Sequence, residues 1–253
     1  MSMQTAYIRP VLQQIADRST YAMSAADLAF GGAESVCGED ERVLVDPLEP
    51  PFEAIAFLGI TTSDGRKVRG TGFYINHGSR SAILTAGHNL CIKDHGGFCQ
   101  KISIIRSRDG DRQPYGTLFV SRDSLRVPAP WEESADETQD WGIILLDGSP
   151  WGFCCASLTD EQLGRNEVRT AGYPADKEGY KMWYDHGPIA NLNKTAILYM
   201  EDTYGGQSGS PVWTMHPDTS DWVVVGVHTY GGCPNKATRV TDAMLDQIDE
   251  WLK

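Results

Sequence analysis

The chain has 253 residues, of which 41% are hydrophobic and 22% are charged, and its net charge is −12 at pH 7. This length and composition allow a sizeable core in one compact unit, and we expect a monomer. The acidic balance argues against nucleic acid or an anionic membrane as a partner, and the longest apolar runs are strand-sized, far short of a membrane span.

The first 34 residues are predicted to form an N-terminal arm. Residues 10–30 have helix-compatible spacing, and the flexible stretch Gly-Gly-Ala follows at 31–33. One interpretation is an ordinary helix of the domain. The start of the chain lacks the apolar segment of a secretory signal, so export is not visibly encoded and an intracellular location stays open.

From residue 52 onwards, short apolar runs separated by Gly, Pro, Asp and Asn predict many β-strands. These runs are 52–58, 72–75, 81–84, 102–105, 118–120, 142–146, 168–172, 196–200 and 222–228. Many short strands with turn signals between them are typical of barrels or sandwiches.

The C-terminal end is predicted to be helical. Residues 242–252 place apolar side chains at helical spacing, and Thr241 or Asp242 is suited to cap the first turn. We expect this helix to pack on the second half of the molecule.

Residues 203–211 place Ser208 between glycines, a pattern typical of an exposed nucleophile. A serine hydroxyl is a poor nucleophile at neutral pH, so it needs an imidazole to take its proton and a carboxylate to hold the imidazole's tautomer. His88 ends an apolar run and Asp140 opens another. Small Gly206 leaves room for an oxyanion hole, which we assign to the N–H groups of Gly206 and Ser208.

Each of these features also has a structural interpretation: a flexible loop, a core histidine, and an aspartate that merely begins a strand. Taken singly, each of these interpretations is the stronger. The chain order of histidine, aspartate and serine, with a β-type run beside each, favours a catalytic triad of the chymotrypsin type over the subtilisin or α/β-hydrolase types.

On these motifs the chain resembles the chymotrypsin-fold, trypsin-like serine endopeptidases, and most of all the glutamyl endopeptidase family. The stretches that carry the resemblance are 70–75, 83–88, 140–143, 205–212 and 225–229. The resemblance implies an all-β fold of two packed six-stranded antiparallel barrels with the site between them. The protease domain would span residues 35–253, with a first barrel at about 45–150, a second at about 165–240 and the C-terminal helix.

The resemblance also implies which residues read the substrate. His228 matches a histidine at the wall of the pocket, and Thr203 matches a pocket hydroxyl. Both donate hydrogen bonds to a carboxylate, which favours cleavage after Glu or Asp. Asp202, six residues before the serine, stands where trypsins carry the acid that selects Lys or Arg, so a trypsin-like preference stays open. A non-proteolytic binding protein of this fold, and an esterase or amidase, also stay open.

The same resemblance bears on processing and covalent links. Cleavage after Glu34 would suit the enzyme's own preference, so the arm is a pro-segment or a permanent helix, and family membership favours secretion. The mechanism needs no cofactor, and protein or peptide substrates are the expected partners. Of the six cysteines, Cys91 and Cys99 are the expected disulfide pair; with His95 they make a weaker metal candidate, and no metal site is assigned. Cys154 and Cys155 stay unassigned.

Overall fold

The computed structural model describes residues 36–77, 80–148, 151–164, 166–177 and 180–253. The N-terminal arm, its predicted helix and the proposed cleavage site after Glu34 lie outside the described residues. Within the described part, no helix combines the length and apolar character needed to cross a membrane.

The described chain is mostly β-structure, as predicted. The strands are β1 Val43–Leu44, β2 Ile55–Thr61, β3 Lys67–His77, β4 Arg80–Thr85, β5 Cys91–Ile92, β6 Gly97–Phe98, β7 Lys101–Arg106, β8 Leu118–Ser121, β9 Leu125–Arg126, β10 Gly142–Leu146, β11 Cys154–Cys155, β12 Glu167–Gly172, β13 Trp183–Leu192, β14 Ala196–Tyr199, β15 Pro211–Met215, β16 Trp222–Tyr230 and β17 Asn235–Arg239. The helices are α1 Ala129–Ser134, α2 Asp160–Leu163 and α3 Asp242–Trp251.

Two antiparallel sheets curl into two barrels. The first sheet has the order β8-β7-β2-β3-β4-β10-β9 and is nearly closed. In the second, the path β13-β12-β15-β16-β17-β14 closes because β13 also pairs with β14, which makes a six-stranded barrel. The predicted fold of two chymotrypsin-type barrels with a C-terminal helix is confirmed.

Three strands of the second barrel, β13, β15 and β17, were not among the predicted runs. β13 contains Gly187 and Pro188 and has a bulge between Ile189 and Asn191, so its sequence does not read as a continuous apolar or alternating run. β15 begins at Pro211, directly after the serine loop, where the turn signals dominate the local sequence.

Aromatic side chains join the two barrels. Phe153 makes an edge-to-face contact with Phe73 of the first barrel, with ring centroids 5.8 Å apart, and lies 5.7 Å from Trp213 of the second. Such pairs contribute about 0.5–1.5 kcal/mol each beyond the area that they bury. Packed rings therefore contribute to holding the two barrels together.

The C-terminal helix starts as predicted, with the Thr241 hydroxyl accepting a hydrogen bond from the N–H of Met244 at 3.2 Å. Met244, Ile248 and Leu252 are buried. The helix also reaches the first barrel, because Trp251 lies 5.2 Å from the Trp141 ring, next to Asp140. Packing on the second half alone, as the sequence analysis expected, is therefore an incomplete description.

Candidate active site

A histidine and an aspartate meet at one end of the first barrel. His88 lies in a short 3₁₀ turn after β4, Asp140 immediately precedes Trp141 and β10, and the pairing of β4 with β10 brings the two together. His88 Nδ1 lies 2.7 Å from Asp140 Oδ2, and Asp140 Oδ1 accepts the backbone N–H of His88 at 2.9 Å. Asp140 is fully buried, so its carboxylate favours a proton on Nδ1 and leaves Nε2 as the basic nitrogen.

The loop that carries Ser208 is attached to the first barrel. The carbonyl of Ser208 accepts hydrogen bonds from the N–H of Thr71 at 2.9 Å and from the side-chain amide of Asn89 at 2.8 Å. Asn89 directly follows His88 in the chain. The structure therefore brings the serine and histidine segments together from different barrels, at the cleft between them.

Two glycines beside the serine have backbones that no side chain fits. Gly206 has φ +100°, and a Cβ there would lie 2.6 Å from the carbonyl oxygen of Tyr173. Gly209 has φ +88°, and its Cβ would lie 2.1 Å from the carbonyl oxygen of Thr71. In the described part of the chain, no acceptor is found for the N–H of Gly206. A constrained loop with an available N–H is what an oxyanion hole requires.

Three residues of the second barrel carry buried polar side chains, which we call the buried polar group. His228, on β16, and Thr203 are fully buried, and the Tyr199 hydroxyl lies 2.5 Å from His228 Nδ1. Burial, and secondarily the nearby His88, lowers the pKa of His228 to about 3, so this imidazole is neutral at physiological pH. The hydroxyl of Thr203 has no hydrogen-bond partner among the described residues.

Asp202 is turned towards the segment that precedes the first barrel. Its carboxylate accepts the backbone N–H groups of Cys37 at 2.6 Å and Glu41 at 2.9 Å, and Asp202 is 2% exposed. Cys37 is also joined to Cys233 by a disulfide bond. Both carboxylate oxygens of Asp202 therefore already bind backbone N–H groups of the segment before the first barrel. In a trypsin-like enzyme these oxygens would instead bind the basic side chain of the substrate.

Other carboxylates lie beside Asp202. Asp185 accepts the backbone N–H of Asp202 at 2.7 Å, and Glu201 is only 4% exposed. Neither oxygen of Glu201 has a hydrogen-bond partner within the described ranges. Burial, reinforced by the neighbouring Asp185, raises the pKa of Glu201 to about 8. Glu201 is therefore largely protonated at neutral pH.

The expected disulfide between Cys91 and Cys99 was wrong. Both are free, buried thiols whose pKa is raised by burial, to about 11 and about 12 respectively. In the β5–β6 pair the residue opposite Cys91 is Phe98, so the next residue, Cys99, lies out of register for a bridge. Cys154 and Cys155 are also free.

The weaker metal alternative gains no support from the geometry around His95. His95 Nδ1 lies 2.8 Å from Asp64 Oδ2, an ordinary surface hydrogen bond. Across the described ranges, no three or more His, Cys, Asp or Glu side chains are grouped to hold a metal ion.

Sequence reasoning missed three residues that border the site. Asn89 was passed over although it directly follows the candidate His88, and Tyr199 was predicted only as part of a strand. Tyr230, whose ring centroid lies 5.9 Å from that of His88, was also missed. Its position depends on a bulge in the β16–β17 pairing between His228 and Tyr230, which the sequence does not reveal.

Comparisons with known proteins identify the family of the chain. The family pattern described as a trypsin-like peptidase domain matches residues 70–227. A protein of Bacillus subtilis (strain 168) named extracellular metalloprotease is 34% identical over 225 residues, covering 86% of this chain and 69% of that protein. A glutamyl endopeptidase of Bacillus licheniformis is 33% identical over 229 residues, again covering 86% of this chain and 69% of the relative.

Solved structures show the same fold. A Glu endopeptidase in complex with MPD has a TM-score of 0.72 at 23% identity and covers 85% of this chain and 98% of its own. The protease Anisep from Arthrobacter nicotinovorans has a TM-score of 0.68 at 17% identity, covering 83% of this chain and 99% of its own. With the family pattern over more than half of its length, the chain belongs to the trypsin-like serine peptidases related to the glutamyl endopeptidases, and it is a serine endopeptidase.

Proposed function

We propose that the chain hydrolyses peptide bonds through a triad of Ser208, His88 and Asp140 and that it cuts after Glu, with Asp as the weaker choice. The observation that carries the triad is the buried pair of His88 and Asp140, with the serine loop bonded to Asn89 beside it. Each of the three residues is supplied by a different element, and all of them lie at the cleft.

The proposed reaction follows from these positions. Ser208 Oγ attacks the substrate carbonyl carbon while its proton passes to His88 Nε2, and Asp140 stabilises the imidazolium and stays ionised. The N–H groups of Gly206 and Ser208 hold the negative oxygen of the tetrahedral intermediate. His88 then donates its proton to the leaving amine as the peptide C–N bond breaks. Water repeats the sequence on the acyl-enzyme and releases the new carboxyl end.

The preference for Glu is supported by the buried polar group. In a neutral imidazole only one nitrogen carries a proton, and a Tyr199 hydroxyl that donates to Nδ1 leaves the N–H of His228 at Nε2. That N–H and the unpartnered Thr203 hydroxyl are then two donors for a substrate carboxylate. Removing one such donor costs about 1.5–3 kcal/mol of binding.

The trypsin-like alternative is the weaker proposal, because the carboxylate of Asp202 already accepts two backbone N–H groups. The B. licheniformis relative is named a glutamyl endopeptidase, which adds support to the acidic preference. A binding protein that has lost catalysis is disfavoured because all three triad residue types are present.

Mass spectrometry of an unstructured protein digested by the purified chain tests activity and preference together. We expect fragments that end mainly in Glu, and none from a Ser208→Ala preparation. Fragments that end mainly in Lys or Arg would instead indicate that Asp202 selects the residue before the cut bond. Turnover of simple esters without any peptide cleavage would favour the esterase or amidase alternative.

We further propose that the protein acts outside the cell and is processed after Glu34. A relative is named extracellular, and the Cys37–Cys233 bond is of a kind that persists in oxidising compartments. Cleavage would create an amine at Ser35, two residues before Cys37 and so within about 7 Å of it along the chain. Cys37 binds Asp202, the neighbour of Thr203, so this amine would have the pocket within reach. N-terminal sequencing of active enzyme, with Glu34→Gln as the uncleaved comparison, tests the proposal; full activity from an intact chain would reject it.

A further inference from the structure

Arg69 lies directly beside the serine loop. It is on β3, and a Cβ placed on Gly206 would lie 3.4 Å from its Nε and 3.5 Å from its Cγ. Two residues further along the same strand, the Thr71 hydroxyl donates to the carbonyl of Gly206 at 2.8 Å. The guanidinium is therefore next to the glycine to which we assign one of the oxyanion donors.

This guanidinium lacks an anionic partner. Within the described part of the chain, its Nε is buried without a hydrogen bond, and Arg69 makes no ion pair. It lies 5.5 Å from the Tyr180 ring, and burial, with an added contribution from neighbouring Arg108, lowers the pKa of Arg69. The nearby carboxylate of Asp176 is already bound to Arg42, at 2.5 and 3.1 Å.

An unpaired, partly buried cation is costly, and a protein of net charge −12 has many carboxylates that could have neutralised it. Its retention beside the reactive loop indicates a ligand that brings its own negative charge. A guanidinium is suited to this because its fork binds a carboxylate through two parallel hydrogen bonds.

The position of Arg69 specifies which part of the substrate it meets. The residues that we assign to the acyl side, Thr203 and His228, belong to the second barrel. The leaving amine instead takes its proton from His88, on the first barrel, and β3 is a strand of that same barrel. Arg69 therefore belongs to the barrel that we assign to the departing peptide.

We propose that Arg69 binds a carboxylate of the leaving peptide, from an acidic side chain one or two residues after the cut bond. This inference rests on the proposed function, because it uses the same serine loop and cleft. The enzyme would then have a second position that binds an acidic side chain. The charged Arg69 binds the acid there, whereas the neutral donors His228 and Thr203 bind the acid before the cut bond. Arg69 also offsets locally the repulsion between an acidic enzyme and acidic substrates.

Matched peptides test the proposal. Each carries one Glu before the cut bond, with Asp, Asn or Lys at the first or second position after it. We expect the wild type to show kcat/KM about 5- to 20-fold higher for Asp than for Asn at one of these positions, and lowest for Lys. Arg69→Gln should abolish the Asp advantage and leave the Asn peptide within about twofold. Arg69→Lys should restore part of it, since the charge returns without the fork.

Arg66→Gln is the matched control, because it removes the same charge from an exposed side chain that pairs with Asp64. It should keep the Asp advantage. Equal rates for Asp and Asn in the wild type, or an Asp advantage that survives in Arg69→Gln, would overturn the proposal. A variant that loses all peptides equally would also reject it, because that is the result of a purely structural role.

A second measurement separates this inference from the proposed preference for Glu. An acyl-enzyme formed from a simple ester is intercepted by added amines, and the amine occupies the leaving-group side. The side chain of aspartic acid diamide is uncharged, whereas that of aspartic acid α-amide is a carboxylate. The ratio of the two products therefore reports on Arg69, whatever residue is preferred before the cut bond. If the wild type shows no excess of the carboxylate-bearing product, or Arg69→Gln retains it, the first position after the bond is excluded.

Discussion

The hydroxyl of Tyr199 offers the sharpest test of the proposal that the pocket binds an acidic side chain. Tyr199→Phe removes the group that lies 2.5 Å from His228 Nδ1 and leaves the rest of this fully buried side chain unchanged. Without it, the imidazole is free to place its proton on Nδ1 and present a bare nitrogen to the substrate. The loss of a buried hydrogen bond and of the correct tautomer costs about 1–3 kcal/mol, or about 5- to 150-fold in kcat/KM for a Glu substrate.

The assay compares two isosteric peptides with Glu or Gln before the cut bond. A Gln side chain both donates and accepts, so it tolerates either tautomer, and its kcat/KM should change by less than about threefold. Tyr115→Phe removes an equivalent hydroxyl from an exposed site and should alter neither peptide. Equal losses for Glu and Gln in Tyr199→Phe would show that the hydroxyl serves only packing, and the tautomer argument would be refuted.

The other predictions concern the triad, Asp202, Glu201 and pH. Ser208→Ala or His88→Ala should lower kcat by about 10⁴ or more in preparations free of contaminating protease. Asp140→Asn should also lower kcat severely, because it favours the wrong tautomer of His88. Near-native rates in any of the three variants would refute the triad. Asp202→Asn should lower the melting temperature but keep the Glu preference in the digest, whereas a gain or loss of cleavage after Lys would show that Asp202 reads substrate. Because the pKa of His228 is about 3, its charge does not change between pH 5.5 and 9, so the ratio of kcat/KM for the Glu peptide to that for the Gln peptide should stay constant in this range. A ratio that falls with rising pH around 6.5, where an ordinary imidazole loses its proton, would contradict the proposal that a neutral His228 binds the substrate carboxylate. Burial raises the pKa of Glu201 in the folded protein to about 8, above its ordinary value of 4.5, so its effect favours folding below pH 4.5 and is lost as pH rises to 8. In Glu201→Gln the melting temperature should therefore vary less between pH 5 and 8 than in the wild type, and an unchanged slope would refute this.

The barrels and the candidate triad could be predicted because their signals are local. Short apolar runs between turn residues mark most strands, and the serine motif needs its glycines within a few positions of Ser208. β13 was missed because Gly187 and Pro188 interrupt it. Its register comes from pairing on both edges, with β12 and β14, and not from its own pattern.

The partners of Asp202 and of the cysteines could not be predicted, because they depend on contacts between distant parts of the chain. The bond from Cys37 to Cys233 spans 196 residues, and no spacing rule selects it. Cys91 and Cys99 were expected to pair because they bracket a turn-rich loop after His88, where the family resemblance implies a bridge, but strand register decides which side chains face each other. Arg69 had no recognisable motif, since its importance comes from lying beside Gly206.

The hydrogen bonds that hold Asp202 determine when the enzyme becomes complete during folding. Their donors, Cys37 and Glu41, precede Asp202 by 165 and 161 residues, so each bond closes a loop that contains the entire first barrel. Such distant contacts form late, because the entropy of the intervening chain must be lost first. Until both barrels have formed and docked, the Asp202 carboxylate lacks these donors. A chain still being synthesised therefore has not yet made these contacts beside the proposed pocket, and we expect proteolytic activity only once the whole domain has folded.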